Sequence, residues 1–275
     1  MTSARIDVGD LTITYDDAGD GAPPLALVHG FTGARTDFAF VRGPLADRRR
    51  VVAPDLRGHR DTSNPDDPSS YTFEQLVDDL VGFLESVVTE PAHVLGHSMG
   101  GMVVMRLALT RPDLVRSLLL MDTAAGAVEL PFDMPDDMIE SIFGMVREQG
   151  LDAARQFLSG QDNPEQALLV EANGQEWFDT DEDRRYATLD PNVVIELGPK
   201  LFAQESVLED LAGLDVPTTI IVGSEDTAFV GPSKRMHDTI PGAVLEIIDG
   251  AYHSPQHTHR EQWLAIVESH LERAG

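Results

Sequence analysis

The sequence predicts an α/β fold: a mostly parallel sheet with helices on both faces and a helical insertion. Three observations predict it. Short apolar runs alternate with longer amphipathic segments along most of the chain. This alternation stops after Asp122 and resumes at Thr218. A glycine-rich turn, Gly96-His97-Ser98-Met99-Gly100-Gly101, joins one apolar run directly to a helical one.

The elements follow in order. Ile6–Val8 and Leu11–Tyr15, joined at Gly9-Asp10, form a hairpin. Leu25–Val28 is a short strand stopped by His29-Gly30, and Arg35–Leu45 a short helix. Arg50–Pro54 is a strand ending at Asp55. Thr72–Val88 is a helix, with Thr72 and Gln75 as a capping box and Leu76, Leu80, Phe83, Leu84 and Val87 at helical spacing. Ala92–Leu95 is a buried strand, Met99–Thr110 a helix, and Val115–Met121 a strand of nearly continuous Leu and Val. Residues 124–205 carry helical patterns only, one of them marked by Met138, Ile139, Ile142, Met145 and Val146. Thr218–Val222 and Ala243–Ile248 are strands, and Pro232–Thr239 and Glu261–Glu272 helices. The domain reading is a core of residues 1–123 and 206–275, with residues 124–205 as a helical cap.

Composition narrows the function. With 275 residues and 42% hydrophobic content, one large domain is expected. No stretch approaches the ~20 apolar residues that a membrane span needs. The N-terminal segment carries Asp7 and Asp10 and no apolar run, so no leader is expected and a cytoplasmic location is the default. Zero cysteines exclude disulfides, thiol nucleophiles and cysteine-ligated metals. The balance of 47 acidic against 20 basic residues disfavours nucleic acid and anionic membranes, leaving a small-molecule substrate as the expected partner. The first 60 residues are balanced, eight acidic to eight basic, whereas residues 124–205 hold 18 acidic and five basic. A solubilising surface accounts for that excess; steering of cationic substrates and adaptation to salt are alternatives. Nothing in the sequence speaks to oligomeric state.

The chemistry centres on Ser98. A serine on a sharp strand–turn–helix bend has an exposed Oγ, and glycines two residues to either side let the backbones approach. The helix that follows points its N-terminus at the place where an oxyanion forms. Serine needs a base, and the base needs an orienting acid. Nine histidines compete for the first role. His253 is preferred because it lies just past the last strand, at the edge of the sheet where ligands bind. His257 and His259 flank the last helix, and His29 and His97 suit structural roles. For the acid, Asp226 follows the strand Thr218–Val222 directly, and Asp122, at the end of Val115–Met121, is the rival. The oxyanion donors are expected to be the backbone N–H groups of Met99 and, from the loop His29–Gly33, of Phe31. No metal-ligand spacing or phosphate loop is present, so no metal site and no cofactor are implied.

Together these motifs resemble the α/β-hydrolase superfamily, in its serine esterase, enol-lactonase and C–C hydrolase branch. The resemblance runs the length of the chain: HGFTG at 29–33, DLRGH at 55–59, GHSMGG at 96–101, GSED at 223–226 and YHSP at 252–255. It implies a helical cap over the site and the triad order Ser98, Asp226, His253. Two positions depart from the family pattern. Arg60-Asp61-Thr62 separates Gly58-His59 from Ser63, where the family often has Gly-His-Gly closely followed by Ser. Tyr252 precedes His253, where Gly is common. Ser98 separates the chain from the dehalogenase and epoxide hydrolase branches, which resemble this fold but use Asp there.

The expected activity is hydrolysis of a neutral, moderately hydrophobic ester or lactone through an acyl-enzyme. C–C hydrolysis, lyase-type or perhydrolase chemistry on the same triad is an alternative, and a ligand sensor on this fold a second. The preference for neutral substrates rests on two expectations about the cap. Large apolar residues there (Phe132, Met134, Met138, Phe143, Met145, then Phe157, Trp177, Phe178, Phe202) should partly line the cavity. Its cations, Arg147, Arg155, Arg184, Arg185 and Lys200, form no obvious clamp.

Overall fold

The turn at Gly9-Asp10 forms the expected hairpin, with strands β1 (Thr2–Val8) and β2 (Leu11–Ala18) longer than the apolar pattern alone suggests. In this computed structural model, which describes residues 2–128, 136–159 and 163–275, six further strands complete the sheet. They are β3 (Leu25–Val28), β4 (Val51–Pro54), β5 (Ala92–His97), β6 (Val115–Met121), β7 (Thr218–Gly223) and β8 (Val244–Ile248). The order is β1-β2-β4-β3-β5-β6-β7-β8; β2 runs antiparallel to both of its neighbours, β1 and β4, and the other pairs are parallel. β5, which carries the glycine-rich turn, sits near the middle of the sheet.

The α-helices are α1 (Ala39–Ala46), α2 (Phe73–Phe83), α3 (Met99–Thr110), α4 (Asp136–Gln149), α5 (Leu151–Ser159), α6 (Pro164–Asn173), α7 (Gln175–Thr188), α8 (Gly198–Ala203), α9 (Thr227–Thr239), α10 (Pro255–Thr258) and α11 (Arg260–Ala274). Strand residues alternate between two apolar layers, as the period of two requires. Ala26, Val94, Leu118, Leu120 and Ile220 face the layer that holds α2 and α3. Leu25, Leu27, Leu95, Leu119 and Ile221 face the layer that holds Phe38, Trp263 and Val267. Both faces of the parallel sheet are therefore covered. Between β6 and β7 the described chain contains helices and no strand. Phe132 and Met134 lie outside the described residues, as does the side chain of Met138.

Local differences have local causes. The helix expected at Arg35–Leu45 begins as a 3-10 turn, Arg35–Phe38, before α1. Arg35 is drawn sideways onto Asp16, Asp55 and Asp61, and Arg42 also reaches Asp16, at 2.5 Å. Thr72 caps α2 by accepting from the Gln75 amide at 3.1 Å. The Gln75 side chain instead donates to Asp79 at 3.2 Å, so the capping box is one-sided. α2 continues past Phe83 as a π-turn, Leu84–Val88, that ends on left-handed Thr89. α9 starts at Thr227 and runs through Pro232, earlier than the apolar spacing indicates.

Arg57 of the DLRGH segment has a fully buried side chain. Its Nε and Nη2 donate to the two oxygens of Asp79, both at 2.8 Å, and Nη2 also reaches the more exposed Asp10 at 3.0 Å. Removing one partner from such a pair strands a desolvated charge. Asp79→Ala is therefore expected to cost about 3–5 kcal/mol in urea unfolding. A loss under about 1 kcal/mol, the worth of a surface pair, would mean that Arg57 finds water or Asp10 instead.

Candidate active site

Ser98 stands between β5 and α3 with φ 53° and ψ −119°, a conformation that costs an L-residue about 1–3 kcal/mol. Its neighbours hold it there. Its amide donates to the Met121 carbonyl at 2.9 Å, and Thr123 Oγ1 donates to its carbonyl at 2.6 Å. The flanking glycines are a steric requirement. A Cβ on Gly96 would come within 2.5 Å of the Gly100 carbonyl oxygen, and one on Gly100 would overlap the Val28 carbonyl. Met99, first residue of α3, has an N–H with no partner inside the helix. Across from it, Gly30–Gly33 forms a turn closed by the Gly33 amide on the Gly30 carbonyl at 3.0 Å. Phe31 of that turn and Ser98 line the same cavity of about 500 Å³.

His253 follows β8 and lines this cavity too. Its Nδ1 is 2.6 Å from Asp226 Oδ2, and Asp226 sits between β7 and α9. Phe229 stacks on the imidazole, with centroids 5.0 Å apart. The His97 ring lies 4.8 Å from that of His253, and its Nε2 binds the His253 carbonyl at 2.8 Å. Burial pulls the His253 pKa down, but the hydrogen bond and charge of Asp226 outweigh it, and the net shift is upward from 6.5. His97 is the opposite case: burial and the neighbouring His253 push it down to about 3, so it is neutral at neutral pH.

The other histidines fall into place by their partners. His29 accepts from the Leu56 amide at 2.9 Å and packs edge-on against His59. His93 and His270 share the buried hydroxyl of Ser117, at 2.6 and 2.7 Å, which puts that second serine–histidine group out of reach of solvent. His257 lies in α10, lines the cavity and packs on Trp177 at 5.1 Å; burial above all lowers its pKa to about 4. Glu225 accepts from the Ser224 hydroxyl at 3.1 Å at the surface.

Asp122 caps β6 without any solvent exposure, and its Oδ1 accepts from the Gly223 amide at 2.9 Å. One oxygen from each of Asp122 and Asp226 and one nitrogen of His253 lie within 4.8 Å of one another. Among the described residues this is the only cluster with metal-ligand spacing. Two of its three members already bond each other.

Several cavity residues were not foreseen. Glu165, in the first turn of α6, accepts from the Ser254 amide at 2.6 Å, so it ties this helix to the segment bearing His253. Burial raises its pKa. The Asn163-Pro164 start of α6, where Asn163 caps the Glu165 amide at 3.1 Å, was readable as a helix N-terminus. Which core residue that turn would meet was not. The cavity lining is mixed, polar as well as apolar. Of the large apolar residues named above, Trp177 and Phe178 line the cavity. Phe143 packs on Phe202 at 6.3 Å, Met145 packs against the core, and Phe157 is 37% exposed. Arg155 and Arg185 line the cavity instead. Each is held by two carboxylates: Arg155 by Asp183 and Glu182, at 2.5 and 3.5 Å, and Arg185 by Asp37 and Asp181, at 2.9 and 2.8 Å.

A family model for the alpha/beta hydrolase fold matches residues 23–260. The chain belongs to the α/β-hydrolase family. Among its relatives, a diacylglycerol lipase described as sn-1-specific, from Mus musculus, is 27% identical over 96% of this chain and 87% of its own. A 2-hydroxy-6-oxononadienedioate/2-hydroxy-6-oxononatrienedioate hydrolase from Pseudomonas putida is 29% identical over 98% of this chain and 95% of its own. Among solved structures, a thermophilic esterase from Thermogutta terrifontis superposes with a TM-score of 0.82 at 25% identity, over 100% of this chain and 99% of that one. Relatives of this α/β-hydrolase thus carry lipase and hydrolase names, and a solved structure of the same fold is an esterase. No described helix is long and apolar enough to cross a membrane.

Proposed function

We propose that this α/β-hydrolase is a serine hydrolase that cleaves a carboxylic ester or lactone through an acyl-enzyme on Ser98. The observation that carries the proposal is the 2.6 Å bond between Asp226 and Nδ1 of His253, which lines the same cavity as Ser98. Nδ1–H given to Asp226 leaves Nε2 as the basic nitrogen. His253 takes the Ser98 proton as Oγ attacks the carbonyl carbon. The amides of Phe31 and Met99 hold the oxyanion, and His253 returns the proton to the leaving alkoxide. Water then repeats the cycle on the acyl-enzyme. Residues 124–205 act as the cap, through Glu165, Trp177 and Arg185 at the cavity wall.

The lining bears on the substrate. Asp37, Glu165, Asp181 and Glu182 face two arginines that are already engaged by carboxylates. A substrate carboxylate entering here meets a net negative wall and has to displace an internal partner to gain an arginine. The reading is therefore a neutral ester or lactone, held by aromatic contact with Trp177 and Phe178 and by polar contacts. The test compares kcat/KM for a neutral ester and its analogue with a free acyl-side carboxylate. The neutral member is expected to win by about tenfold or more, about 1.4 kcal/mol. A preference for the anion would contradict the reading and direct attention to Arg155 and Arg185. A second reading is carbon–carbon hydrolysis by the same triad, favoured by a relative whose name gives a 2-hydroxy-6-oxo dienedioate as its substrate; turnover of a vinylogous diketone in place of simple esters would establish it.

A further inference from the structure

We propose that Asp122 is a positioning residue for the triad: it keeps a proton and donates it as a hydrogen bond to Asp226, which stays the single negative charge of the pair. The proposal rests on the reading of Ser98, His253 and Asp226 as the triad. Its basis is geometric. Asp122 is fully buried at the end of β6, with φ 45°. Its Oδ1 is satisfied by the Gly223 amide, but Oδ2 is buried with no donor in reach among the described residues. An ionised carboxylate in that setting would leave a charged oxygen dry and unbonded beside a second carboxylate.

The charged and titratable groups facing the pair are His253, after β8, and Glu165, from α6. His97, after β5, touches the His253 ring and is neutral. None of these offers Asp122 a cation of its own, because His253 is bonded to Asp226. One proton between the two carboxyls removes both the orphaned oxygen and the like-charge repulsion. In agreement, burial and then the Asp226 charge push the Asp122 carboxyl well above its ordinary range. The bond would fix the Asp226 carboxylate so that Oδ2 faces His253 Nδ1.

Two substitutions separate this role from a purely structural one. Asp122→Asn keeps an oxygen for the Gly223 amide and an N–H donor for Asp226, so it mimics the protonated acid. Asp122→Ala offers neither. Asp122→Ala is expected to lower kcat about 10- to 100-fold, the scale of a lost buried hydrogen bond, with little change in KM. Asp122→Asn should recover most of that loss and leave the acid limb of kcat/KM at its wild-type pH, because no charge has been removed. Infrared spectra at neutral pH should show a protonated carboxyl band in the wild type that is missing in Asp122→Asn. An acid limb displaced downward in Asp122→Asn, or no such band in the wild type, would overturn the proposal by showing an ionised Asp122. A Ser98→Ala control that keeps turnover would overturn the triad reading instead. The infrared arm needs no turnover, so it tells the two failures apart.

Discussion

Ser98→Ala is expected to abolish ester hydrolysis while leaving the fold intact, with kcat falling by about 10⁶-fold. That scale, roughly 8 kcal/mol, is the loss seen when the nucleophile is removed from a triad enzyme of another fold. The fold should survive because the hydrogen bonds that hold the turn come from the Ser98 amide and carbonyl, on Met121 and Thr123, and not from its Oγ. Alanine carries the same Cβ, so it bears the same backbone strain. The measurement is kcat on a simple aryl ester beside a thermal melt. Turnover within about tenfold of wild type would remove Ser98 from the mechanism.

The second large effect is at the base and its partner. His253→Ala is expected to be nearly as damaging as loss of Ser98, and Asp226→Asn to lower kcat by about 10⁴-fold. The side-chain amide introduced by Asp226→Asn can turn an N–H toward Nδ1, which then has to accept, and the proton moves to the nitrogen that should be basic. His257→Ala should be mild by comparison. His257 lines the same cavity, but it packs on Trp177, and its Nδ1 is without a partner among the described residues. The wild-type pH profile carries the same information. Asp226 raises the His253 pKa above 6.5, so activity should fall as the pH drops through a value above 6.5, where His253 gains a proton and ceases to be a base. An acid limb well below 6.5, or a His257 variant more damaged than the His253 one, would contradict the assignment.

The parts of this site readable in advance are those set by neighbours in the chain. The turn at Ser98 needs only a strand before it, a helix after it and glycines on both sides, all within Ala92–Thr110. Asp226 and His253 could be placed because each follows a strand, and parallel strands deliver their C-terminal ends to one edge. The strands themselves were legible because both of their faces are buried, which leaves continuous apolar runs. What escaped depended on contacts between distant elements. The Glu165 bond to the Ser254 amide spans 89 residues, and that of Arg185 to Asp37 spans 148. Neither has a local signature beyond a charged residue on a helix. Phe143 and Met145 of α4 were suited either to the cavity or to packing on the core, and both pack on the core. The same limit applied to Asp122 and Asp226, whose rivalry could be stated from the chain but whose proximity could not.

The most direct test of the account is covalent labelling with a fluorophosphonate, followed by mass spectrometry of the modified peptide. The reagent reacts with a serine whose proton can be withdrawn and whose developing oxyanion is held. Stoichiometric modification of the peptide containing Gly96–Gly101, on Ser98, is expected, with labelling lost in both Ser98→Ala and His253→Ala. Modification at another serine, or undiminished labelling of the His253→Ala protein, would contradict it.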